Sequence, residues 1–103
     1  MYRFKSKADG DLIMMAPVGD QILRILGREP EAKGIIEVAA LPDAIRALEE
    51  AIAAAELARR DTRRVDSDDE RAAEAVGLAQ RAWPMLEMMR RSLAERADIV
   101  WGV

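Results

Sequence analysis

Tyr2, Phe4 and Ser6 alternate with Arg3, Lys5 and Lys7, the period of two that marks a strand with one buried face. Asp9-Gly10 follows, a dipeptide that tolerates the positive φ angles of a tight hairpin turn. Residues 12–16 form a second apolar run, closed by Pro17. The pattern predicts an N-terminal β-hairpin. With Asp9-Gly10 as a two-residue loop, Lys7 faces Leu12 and Lys5 faces Met14. One sheet face then carries Arg3, Lys5, Lys7, Leu12 and Met14. The other carries Tyr2, Phe4, Ile13 and Met15, and alternation assigns it to the core. A one-residue shift of register would dissolve that division.

Beyond the hairpin the period changes. Residues 22, 23, 25 and 26 are apolar at helical spacing, with Asp20 placed to favour a helix N-terminus and Gly27 placed just past the helix end. Residues 28–33 read as a polar loop, and 34–38 as a short strand or an extended buried connection. Pro42 and Asp43 suit a first helical turn. Leu41, Ile45, Leu48, Ile52 and Ala55 then recur on one stripe, with Glu49, Glu50, Glu56, Arg59 and Arg60 off it. This second helix faces a core on one side only.

At Asp61 the apolar stripe stops. Arg59, Arg60, Arg63 and Arg64 are followed by Asp66, Asp68, Asp69 and Glu70, a basic block beside an acidic one. Ser67 and Glu70 match a capping box, but 71–77 offers only alanines and one valine as anchors. Residues 61–77 are therefore expected to be a mobile linker with nascent helix. Leu78, Ala82, Met85, Met89 and Leu93 restore a stripe, widened by Leu86 and Ala97. Pro84 lies inside it, so the helix is expected either to kink or to restart there. Ile99-Val100-Trp101 reads as a closing strand, expected beside the first strand.

The opening Tyr2-Arg3-Phe4-Lys5-Ser6-Lys7-Ala8, then Gly10-Asp11-Leu12-Ile13-Met14 and Gly34-Ile35-Ile36-Glu37, resemble a family of small bacterial proteins of unknown function. Arg81-Ala82-Trp83-Pro84 and Val100-Trp101-Gly102-Val103 fit the same family. The resemblance spans most of the chain except 61–77. It implies one full-length domain and no particular chemistry.

Composition narrows the function classes. The chain has 103 residues, half of them hydrophobic and 34% charged, which suits one globular domain. Its formal charge of −3 lacks the basic excess of a typical nucleic-acid binder. It contains no cysteine and no histidine, so disulfides, thiolate chemistry and the commonest general base are absent. Neither a secretory signal nor the ~20-residue apolar run of a membrane span is visible, and the cytoplasm is the expected setting. No cofactor is implied.

The candidate chemistry is correspondingly thin. Asp9-Gly10-Asp11 lacks the further oxygen ligands of a calcium loop. The glycines, Arg28 and Lys33 of 27–34 lack the Gly-Lys-Ser/Thr order of a phosphate loop. Asp11, Asp20, Glu37 and Glu87 have apolar neighbours, but nothing in their spacing pairs them. Met85, Met88 and Met89 read as core filler rather than a binding groove, and Trp101 is expected to be more exposed than Trp83. The reading is an α+β fold: an antiparallel sheet of about three strands, with three helices on one face. Its expected role is a non-enzymatic protein-interaction module that uses a mixed basic and apolar sheet face, with a second copy of the chain as one candidate partner. Arg3, Lys5, Lys7, Leu12, Met14 and Trp101 are the candidate contact residues. The alternative is a small-molecule-binding protein, or a carboxylate-dependent enzyme, with a pocket between sheet and helices.

Overall fold

The computed structural model describes the backbone of residues 1–65 and 69–103, and the side chains of 1–57, 77, 78 and 80–103. The described residues form an α+β fold in the order β1 (Tyr2–Ser6), β2 (Asp9–Met14), α1 (Ala16–Ile25), β3 (Gly34–Ile36), α2 (Leu41–Val65), α3 (Asp69–Glu95) and β4 (Ile99–Trp101), with a short 3-10 turn at Val38–Ala40. The sheet has four antiparallel strands in the order β2-β1-β4-β3. β4 lies beside β1 as expected, and 34–36 adds the fourth strand on its far side.

Cross-strand register decides which side chains are buried. Tyr2 pairs with Met14, Arg3 with Ile13, Phe4 with Leu12 and Ser6 with Asp9. The hairpin turn is therefore Lys7-Ala8, and Asp9-Gly10 belongs to β2. Between the Phe4 and Ser6 pairs the register shifts. Gly10 and Asp11 stand opposite Lys5 alone, so β2 carries the extra residue of a β-bulge. This corrects the expected faces. Leu12 and Met14 share the inner face with Tyr2 and Phe4, and Ile13 points outward with Arg3. The physical reason is burial: this register puts Met14 into the core and leaves Ile13 at the surface.

All three helices supply the inner layer. Phe4, Ile36, Ile99 and Trp101 of the sheet cluster with Ile22 and Leu23 of α1, Leu41 and Leu48 of α2, and Met85 and Met89 of α3. Burying side chains of this size contributes roughly 1.5–3 kcal/mol each before the entropy of ordering is counted. Phe4 is central: its ring lies 5.7 Å from Tyr2 and 5.5 Å from Trp101, centroid to centroid. Met85, Met88 and Met89 are core, as their spacing predicts.

Helix boundaries differ from expectation in three places. Pro17 does not close a strand; it occupies the first turn of α1, where its missing N–H costs no hydrogen bond. Asp20 is consequently inside α1, while Gly27 does take the positive φ (79°) of a helix stop. Residues 61–65 close α2 and 69–77 open α3, because arginine, alanine and glutamate sustain a helix without a broad apolar stripe. Residues 66–68, and Ser67 of the capping pattern with them, lie outside the described residues. Pro84 neither ends nor restarts α3; the helix runs through it, and the carbonyl of Gln80 forfeits its usual partner.

Candidate functional site

With the helices on one face, the paired outward positions of the strands form an open surface. They are Arg3 and Ile13 across β1 and β2, then Lys5, Val100 and Ile35 across β1, β4 and β3. Ile13 is 52% exposed and Ile35 is 39% exposed, while Lys5 and Val100 are half-buried. None of these five is acidic, and exposed Asp11 stands beside Lys5 at the bulge. Among the described residues no element covers this face.

The six residues expected to make contact are thus divided. Arg3, Lys5 and Lys7 lie outside the core, the first two on the open face and the third in the hairpin turn. Leu12 is half-buried against the core, Met14 is 7% exposed and Trp101 is 2% exposed. The tryptophans are reversed from expectation, since Trp83 is 43% exposed. Trp101 donates its indole N–H to the Glu31 carbonyl at 2.9 Å, while the Arg90 guanidinium lies 5.8 Å from the Trp83 ring. Ile13, Ile35 and Val100 were missed. Ile35 and Val100 are recoverable only once β3 and β4 are known to be neighbours.

Two hollows adjoin the sheet. The first, of about 500 Å³, is an apolar groove among Leu12, Met14, Pro17, Val18, Arg81 and Pro84. It opens where β2 passes into α1 and faces the middle of α3. The second, of about 480 Å³, lies near the hairpin turn and is lined by Lys5, Lys7, Arg96, Asp98 and Val100, among others. Arg96 was also missed: nothing in its sequence neighbourhood marks it, and only the fold brings it beside β1.

The carboxylates do not converge in either hollow. The groove has none among its lining residues, and the second hollow has only Asp98. Asp98 accepts the Val38 N–H at 2.9 Å. Asp20 accepts the Tyr2 hydroxyl, which raises the tyrosine pKa above its ordinary value, with burial and the negative charge of Asp20 adding to the effect. Glu87 stands 3.8 Å from Arg91, four residues along the exposed side of α3, whereas Asp11 and Glu37 are exposed. Among the described residues no group of three acidic side chains is gathered as a metal site would require.

The family described as a domain of unknown function, DUF1840, matches residues 1–101. The chain belongs to that family. DUF1840 thus spans the hairpin, all three helices and β4, and the match includes the segment 61–77 that the resemblance left aside. Searches of curated proteins and of solved structures found no match.

Proposed function

We propose that this DUF1840 chain is a non-enzymatic interaction module that docks an acidic protein segment on the open face of its sheet. The observation that carries this reading is the outward set itself: Arg3 and Lys5 interleaved with Ile13, Val100 and Ile35, with exposed Asp11 beside Lys5 at the bulge as the one acidic neighbour on β2. Exposed apolar side chains gathered on one surface are a mark of association. The two cations select the sign of the partner and speed its encounter. A protein fits better than a nucleic acid, because a chain of formal charge −3 offers little counterion release. No described helix is long and apolar enough to cross a membrane, and the setting we propose is the cytoplasm.

Charge reversal tests the reading. Wild-type protein and the double variant Arg3→Glu/Lys5→Glu would be used as bait in native lysate, with Glu50→Lys on α2 as a control away from the face. The expected result is an acidic protein retained by wild type and by the control, released by salt, and lost from the double variant. Retention unaffected by the reversal overturns the proposal. Sedimentation gives the other outcome: a dimer broken by the same reversal would replace the acidic partner with a second copy.

A second reading rests on the apolar groove, whose volume of about 500 Å³ falls within the range of small-molecule sites. Its lining suits an apolar ligand with one acceptor group directed at Arg81. Saturation-transfer NMR with medium-chain carboxylates tests it: a signal lost in Val18→Asp supports the groove, and no signal removes this reading.

A further inference from the structure

The hollow near the hairpin turn brings together cations from three separate parts of the chain. Lys5 comes from β1, its ammonium donating to the Val103 carbonyl at 3.0 Å, Lys7 from the turn and Arg96 from the residue just past α3. Asp98 is the single carboxylate in the lining, and the Val38 N–H already engages it at 2.9 Å. The lining therefore carries an excess of positive charge on a chain that is acidic overall. Val100 and Ala97 add apolar surface.

A second observation concerns Arg96 by itself. Its backbone is left-handed, with φ at 54°, the only such non-glycine residue among those described. Glycine is the usual occupant of this position after a helix, because a β-carbon there is disfavoured. The hydrogen bonds that end α3 run from the Arg96 N–H to Leu93 and from the Ala97 N–H to Ser92. Both are main-chain bonds that glycine would make equally well. A cation near a helix C-terminus gains something from the helix dipole, but that gain needs no left-handed residue and is available from earlier positions in the last turn. An arginine in this place lines the same hollow as two lysines and brings a planar, multi-donor cation to it.

We propose that this hollow binds a phosphoryl dianion, with Lys5 and Lys7 as point charges and Arg96 as the bidentate donor. Guanidinium geometry matches two phosphate oxygens, whereas ammonium groups supply charge from any direction. At about 480 Å³ the hollow has room for the organic part of a small phosphate monoester beside the phosphoryl group. This proposal does not depend on protein docking, although Lys5 and Val100 border both surfaces.

The test is calorimetric titration of the full chain with inorganic phosphate, phenyl phosphate and acetate at matched ionic strength. Both phosphates should bind at least roughly tenfold more tightly than acetate, about the difference one added charge-assisted contact makes. Phenyl phosphate tighter than inorganic phosphate assigns the site to an ester, and equal affinity assigns it to the free ion. Arg96→Gly should weaken phosphate binding by roughly tenfold while its denaturation midpoint stays level or rises. Lys7→Ala, in the exposed turn, provides a second variant with the same expected loss. Ile13→Glu should leave phosphate binding unchanged, separating this site from the docking face. Phosphate that binds no better than acetate, or equally well to Arg96→Gly and Lys7→Ala, overturns the proposal.

Discussion

The indole ring of Trp101 lies over Gly34, its cross-strand partner on β3, in the space that a β-carbon at Gly34 would occupy. On the other side of β4, Trp101 pairs with Phe4. One short strand thus carries the residue that ties β3 to the aromatic row of β1. The ring fits because its neighbour has no side chain.

Gly34→Ala should therefore destabilise the fold by about 1–3 kcal/mol, the usual cost of forcing atoms into a filled core. Gly10→Ala serves as its control. A β-carbon at Gly10 meets nothing within 4 Å, so the expected change there is within about 0.5 kcal/mol. Denaturant midpoints measure both. In a Trp83→Phe background, fluorescence reports directly on whether Trp101 has moved.

Much of this packing is legible in the sequence. Alternation identified the inward side of β1, helical spacing identified the core stripes of α2 and α3, and the closing strand lies beside β1. The register of β2 was not legible, for a physical reason. Leu12-Ile13-Met14-Met15 is apolar at every position, so either parity satisfies a hydrophobic alternation, and Asp9-Gly10 favoured the wrong one. Burial of Met14 beneath the helices, together with the bulge opposite Lys5, selects the other. The docking face inherits that correction: its cations were visible, but two of its apolar members come from strands distant in sequence. Trp101 was misplaced because a neighbouring glycine at a chain end suggests exposure, whereas its environment is made by β1 and β3.

Ser6 and the fully buried Ser92 have their hydroxyl oxygens 2.7 Å apart, joining the hairpin to α3. Ser92→Ala removes this hydrogen bond and should cost about 0.5–1.5 kcal/mol, because the half-buried Ser6 hydroxyl keeps the Ala8 N–H at 3.2 Å. Adding Ser6→Ala should cost less than the sum of the two single changes. A double-mutant cycle read from denaturation curves should give a coupling of roughly 0.5–1 kcal/mol; strict additivity would deny the bond.

Tyr2 is the only tyrosine in the chain, so tyrosinate absorbance follows it alone. Its hydroxyl donates to Asp20, and this hydrogen bond is the chief cause of a pKa above the ordinary tyrosine value of 10.0. The fold favours the protonated phenol. Its contribution to stability is complete below pH 10.0 and declines as pH rises through the folded pKa. Asp20→Ala should bring the absorbance midpoint back toward the ordinary value. Tyr2→Phe should remove this part of the alkaline loss of stability.

Pro84 lies within α3 on an exposed part of its surface. Pro84→Ala returns a donor to the Gln80 carbonyl and relieves the ring's contact with the preceding turn. It should stabilise the chain by part of the ~3 kcal/mol that a proline costs inside a helix. A lower denaturation midpoint would show instead that the proline's packing along the apolar groove outweighs the lost hydrogen bond.

The docking face itself is tested most directly by photocrosslinking in the native cell. Benzoylphenylalanine would replace Ile13 or Ile35 on the open face, or Glu50 on α2. The account predicts a discrete adduct with an acidic protein from positions 13 and 35, none from position 50, and loss of the adduct on adding Arg3→Glu/Lys5→Glu. Adducts from position 50 alone, or adducts at 13 and 35 that survive the charge reversal, would contradict it.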